Sequence, residues 1–304
     1  MEVTANLVLT LISAVADSFA FIISLTLLFL TFYRIIQAKC RRSQIKFDVP
    51  LLISIHILCI IINKIILQSI HITIPVLKQY FHKTVKSQND FQCHFRAYIL
   101  WSLIGVLYWN YTLLVFFHFT RVIYPQQKCL YTFRIYLYVY IPCIFMLIFI
   151  SILPLFLVFN GIQLMRNELY CDLLIKPYYY VLYIGTIIFF LPYSIICICY
   201  FCIARKMRRT LSTLSRGEYN KRVYVVVRRM LLNTVALGVV STPGVILIII
   251  YNLDDRFEGI AYDILWFSSS LAALLFAGVL PLITTEFRRL GRTNQIAPDI
   301  VNHA

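Results

Sequence analysis

The 304 residues are 61% hydrophobic and only 13% charged, against about 25% charged in a soluble domain. Such a chain cannot cover a water-facing surface, so the expected class is an all-α membrane protein. Its apolar runs exceed 20 residues and are apolar all round, unlike the alternating segments of about ten residues in a β-barrel. Sparse Gly and Pro exclude a disordered or collagenous chain, and the net charge of +15 leaves nucleic acid as a partner until the charges are placed.

The first six residues carry no Lys or Arg, so the basic n-region of a signal peptide is not seen. The run at 7–33 is too long for a signal core and is expected to be the first transmembrane helix, interrupted by Asp17. A short basic loop follows. The second helix is expected at 49–75, with Lys64, Gln68 and His71 in its later half, and a polar loop over 76–92 leads to the third. That third helix, 96–124, begins just after Cys93 and ends beyond His118 and Arg121. Between Arg96 and His118 its only ionisable side chains are Tyr98, Tyr108 and Tyr111. At 1.5 Å per residue it can cross a bilayer core of about 30 Å. The remaining helices are expected at 134–159, 178–204, 230–251 and 260–284. Residues 160–177 read as a loop holding Cys171, residues 205–229 as the most basic stretch, and 285–304 as a short tail. The result is one domain, a seven-helix bundle without internal repeat.

Seven spans put the two termini on opposite sides. Of the 28 Lys and Arg, 20 fall around the loops after helices one, three, five and seven, and 6 around the other loops. Positive charge concentrates on the cytoplasmic side, so the N-terminus is expected outside and the C-terminus inside. The same bias accounts for +15 without nucleic acid. In that orientation Cys93 and Cys171 are the cysteines on the oxidising side. Their disulfide is expected, the alternative being two free thiols. Closing a loop of that length is worth about 4–5 kcal/mol in the chain-entropy account. Cys197, Cys199 and Cys202 lie within one apolar run and behave as small hydrophobes, and no metal site or cofactor is expected.

Asp17 and Lys64 are charges inside apolar spans. Each costs about 2.5–3.5 kcal/mol or more at bilayer depth unless it turns inward and finds a partner. Their depths agree in antiparallel neighbours, so a buried ion pair is expected. The competing reading has Lys64 line a ligand pocket with Gln68, His71 and Arg96. The Asn110-Tyr111-Thr112 sequon falls mid-helix and is not expected to carry glycan.

Seven helices, an outer N-terminus and a helix-three cysteine facing one in the second outer loop resemble the rhodopsin-like G-protein-coupled receptors. Further matches are Pro192 with Tyr200 eight residues on, Pro243 within the sixth helix, Pro125 after the inner end of the third, and Glu286-Phe287-Arg288-Arg289 as the start of a short eighth helix. The family's Asp-Arg-Tyr motif aligns with Phe117-His118-Phe119, and Pro281 stands only six residues before Phe287. Helix one has no Gly-Asn pair, helix two no sodium-site aspartate, and Ser241 replaces the helix-six tryptophan. With these departures the chain resembles a divergent receptor of that family, not a close relative of its well-studied members.

The resemblance implies a plasma-membrane receptor for an extracellular ligand, with a heterotrimeric G protein as cytoplasmic partner. Its pocket would include Trp101, Ser102 and Gly105 beside Lys64, Gln68, His71 and Arg96. Leu100 stands where aminergic receptors carry their amine-binding aspartate, so a biogenic amine is not expected. The G-protein-facing switch would comprise His118, Arg121, Tyr200, Arg228 and Arg229, with kinks at Pro192, Pro243 and Pro281. No nucleophile–base pair stands in a span, so an enzyme is not expected. The rival readings are a receptor-shaped protein that does not couple, acting as scavenger or partner subunit, and a small-solute transporter.

Overall fold

The computed structural model describes residues 2–40, 48–77, 91–127, 132–159, 161–164, 170–175, 178–211 and 258–283, together with six single positions between 234 and 250. Six helices among them are long and apolar enough to cross a membrane, which makes the chain a multi-pass, all-α membrane protein. They are α1 (Glu2–Cys40), α2 (Val49–Leu77), α3 (Phe91–Ile123), α4 (Phe133–Leu157), α5 (Tyr179–Gly185 continuing to Leu191–Leu211) and α6 (Glu258–Ile283). The six single positions, Thr234, Val235, Gly238, Thr242, Ile246 and Ile250, are helical too. They fall in the span expected at 230–251.

Several helices outrun their expected bounds. The polar residues ahead of 7 join α1, α3 starts at Phe91 rather than 96, and α5 carries the basic Arg205-Lys206 into its last turns. Helix length is set by backbone hydrogen bonding, which continues past the apolar core where nothing breaks it. The start of α2 is marked by Pro50 in the first turn, where its missing N–H costs nothing.

Three helices widen into π turns, at Ser69–Thr73 in α2, Tyr136–Tyr140 in α4 and Thr186–Phe190 in α5. Each ends two residues before a proline: Pro75, Pro142 and Pro192. A proline has no N–H for the i−4 carbonyl and its ring collides with that carbonyl. Shifting the preceding turn to i−5 bonding moves the carbonyl away. Pro192 was an expected kink, whereas Pro75 and Pro142 were not. Pro243 and the side chain of Pro281 lie outside the described residues, although α6 runs helical through position 281.

Among the described helices α3 is the most deeply buried, flanked by α2, α4 and α5, while α1 packs against α6 and α2. Gly105 lets α3 approach two neighbours. A Cβ there would lie 2.8 Å from Ile148 Cγ2 of α4 and 3.3 Å from Ile188 Cγ1 of α5. Across α2 and α3, His56 Nδ1 meets Asn110 Oδ1 at 3.0 Å, and Asn110 Nδ2 donates to Val106 O of its own helix. Asn110 is therefore buried in α3, within the sequon that helix placement excluded.

The stretch expected as a loop over 160–177 contains a β-hairpin. Strand β1 (Ile162–Leu164) pairs antiparallel with β2 (Cys171–Leu173), with Gln163 opposite Asp172. All three residues of β2 are buried, so its backbone groups need partners, and an antiparallel mate supplies half of them.

Candidate functional site at the disulfide end

Cys93 and Cys171 are bonded, with Cα atoms 5.6 Å apart, inside the usual range for a disulfide. The bridge holds β2 against the first turn of α3. The remaining backbone groups of β2 and its continuation are taken up by the helices around it. His71 Nε2–H of α2 donates to Cys171 O at 2.8 Å. The Tyr262 hydroxyl of α6 donates to Leu173 O and accepts from Ile175 N, both at 3.1 Å. Leu174 N donates to Gly161 O at 2.8 Å.

At the centre of β2 stands Asp172, buried and held by three N–H donors. Trp101 Nε1 of α3 and the Leu173 backbone N–H donate to Oδ1 at 2.8 and 2.7 Å, and Trp266 Nε1 of α6 donates to Oδ2 at 2.7 Å. The two indole rings are 5.7 Å apart, tilted by 53°. Burial outweighs the three donors and lifts the Asp172 carboxyl to about 6. The neighbouring Tyr170 hydroxyl is pushed well above its ordinary value by burial first, then by the charges of Asp172 and Asp263.

From Trp266 the polar contacts continue into the bundle. Ser270 Oγ donates to Trp266 O at 3.1 Å and accepts from Gln68 Nε2 of α2 at 3.1 Å. Its single proton is thus used, so the 2.8 Å contact with Ser13 Oγ of α1 is a donation by Ser13. Gln68 Oε1 is buried without a hydrogen-bond partner among the described residues. One turn below Gln68, Lys64 Nζ lies 3.4 Å from Asp17 Oδ1, both side chains buried.

Of the expected pocket residues, Gln68, His71 and Trp101 come together around β2 and α6, and Arg96 lies half-buried in the second turn of α3. Lys64 is engaged by Asp17, which fits the ion-pair reading. Ser102 turns its hydroxyl onto Tyr98 O of its own helix, and the space over Gly105 is filled by isoleucines of α4 and α5. Leu100 is fully buried.

At the opposite end, His118 is half-buried, stacked edge-on against Phe117 at 5.5 Å, and its Nε2 has no hydrogen-bond partner among the described residues. Arg121 is exposed. The buried Tyr200 brings its hydroxyl near Tyr111 and Thr234. Lys206 of α5 donates to Ile123 O at 3.3 Å, across the end of α3. Arg228 and Arg229 lie outside the described residues.

Sequence reasoning passed over Asp172, Trp266, Tyr262, Ser270 and Ser13. The available signal was Asp172 itself, an acid next to the cysteine assigned to the disulfide. Two of the chain's three tryptophans meet on it, and that convergence is a tertiary fact. Among the described residues no group of three His, Cys, Asp or Glu side chains could hold a metal ion. No protein-family model and no curated protein matches this chain.

Proposed function

We propose that the chain is a divergent rhodopsin-like receptor of the plasma membrane. It would take an extracellular ligand at the disulfide end and signal to a heterotrimeric G protein at the other. The observation that carries this reading is the Cys93–Cys171 bridge, which seats a β-hairpin among α2, α3 and α6. In this reading the end closed by the bridged hairpin is the recognition end and the opposite end is the transmission end. The uneven distribution of Lys and Arg supports placing the disulfide end outside. The contacts from Trp266 through Ser270 to Gln68 and Ser13 couple the hairpin to the bundle interior, because they join α6, α2 and α1.

The testing experiment is nucleotide exchange on a panel of purified G proteins with the full chain in lipid nanodiscs. Exchange above that of empty nanodiscs is the expected result. None on any G protein would overturn coupling and favour the second reading, a receptor-shaped partner subunit or scavenger. The specific observation behind that rival is Phe117-His118, where the family carries an acid and an arginine.

A further inference from the structure

The strand β2 is anchored several times over without Asp172. The disulfide ties Cys171 to α3, His71 holds Cys171 O, Tyr262 holds Leu173 O and Ile175 N, and Gly161 O holds Leu174 N. Yet the centre of this strand is a buried carboxylate that, among the described residues, is bonded only by neutral donors, an arrangement that costs free energy relative to an apolar residue. Two of its three donors come from separate helices, α3 and α6. Indole N–H groups cannot accept hydrogen bonds. Buried and aimed at one point, they recognise an acceptor, and a charged one best.

We propose that Trp101 Nε1 and Trp266 Nε1 form a carboxylate-binding clamp, that the chain's own Asp172 occupies it, and that a small organic carboxylate competes for it from outside. The inference rests on the receptor reading only for the side from which the ligand arrives. The tethered acid has the advantage of a high effective concentration, so a free carboxylate must either bind tightly or arrive when the hairpin is displaced. Clamp occupancy is felt within the bundle because Trp266 is also the residue whose carbonyl receives Ser270, the meeting point of Gln68 and Ser13.

The test uses the purified full chain in nanodiscs, with acetate as the probe and indole fluorescence as the readout. The third tryptophan, Trp109, donates to Ile187 O away from the clamp. In Asp172→Ala the clamp is vacated. Acetate is expected to produce a saturable emission change and to raise the unfolding temperature, binding about tenfold or more tightly than acetamide, which offers a neutral acceptor of the same shape. Wild type should respond only at higher acetate concentration, because Asp172 must first be displaced, and Asp172→Ala with Trp101→Phe and Trp266→Phe should have lost the thermal shift. A folded Asp172→Ala variant that ignores acetate overturns the proposal, and so does a thermal shift that survives loss of both indoles. If the variant fails to fold in chloride, recovery of folding when acetate is supplied during expression and purification supports the clamp. Failure in both media overturns it. No G protein enters this assay, so its failure leaves the receptor reading untouched, and absence of nucleotide exchange leaves the clamp untouched.

Discussion

Replacing Asp17 by Asn removes the countercharge of Lys64 and nothing else of comparable size. The Lys64 side chain is 1% exposed and that of Asp17 4%, with Nζ and Oδ1 3.4 Å apart. Breaking such a pair from one side leaves a buried charge uncompensated, which costs about 3–5 kcal/mol. Translocon measurements put a lone charge at bilayer depth in the same range, about 2.5–3.5 kcal/mol. Lys64→Met should cost a similar amount by stranding the carboxylate. The double variant, Asp17→Asn combined with Lys64→Met, has no buried charge and keeps nearly the same volume, so it should lose less than either single change. By soluble-protein scaling, about 3 kcal/mol shifts the unfolding temperature by roughly 6–12 °C. Thermal unfolding of the four proteins in nanodiscs, followed by indole fluorescence, measures the cycle. Additive losses, with the double variant worse than either single one, would refute the pairing energetics.

Acidification should stabilise wild type relative to Asp172→Asn. The folded Asp172 carboxyl titrates at about 6, above the ordinary 3.8, so the folded state holds its proton more tightly and stability rises as pH falls from 7 toward 4. The full gain is roughly 3 kcal/mol, and a difference in unfolding temperature that stays flat between pH 7 and 5 would contradict it. Gly105→Ala should destabilise by about 1–3 kcal/mol through overpacking against Ile148. Combined with Ile148→Ala it should cost less than the sum of the two, measured in the same unfolding assay. If the chain couples, Arg121→Ala should reduce nucleotide exchange at least as much as His118→Ala at matched surface expression. Exchange unchanged by Arg121→Ala would mean that Arg121 only reaches toward lipid phosphate.

The helices were legible because a run apolar on every face has one stable state in lipid, with all backbone bonds made internally. The bridge and the Asp17–Lys64 pair were legible for a related reason: a cysteine or a charge in that setting restricts its possible partners sharply. The hairpin was not, since Gly161–Leu164 and Tyr170–Ile175 show no strict alternation, and β2 is buried on both faces. Nor was the Asp172 clamp. Trp101 and Trp266 stand 165 positions apart in the numbering, and nothing local marks either as facing a loop. His118 and Arg121, placed on one face by their spacing, differ in exposure because the helix ends between a packed interior and an open edge.

The π turn of α5 has a consequence for how this helix tolerates change in length. Its buried positions Tyr180, Ile184, Ile188, Pro192 and Ile196 recur every fourth residue, a stride that an unbroken α-helix cannot hold on one face for so long. The wide turn absorbs the surplus. Deleting one residue there would let the turn close to ordinary bonding while both halves keep their faces, but the closed turn would bring the carbonyl four positions before Pro192 against its ring. Substituting Pro192 alone would leave the surplus residue without its reason. Extra residue and proline are thus a matched pair of edits, each costly without the other, and a lineage of this chain is expected to gain or shed them together.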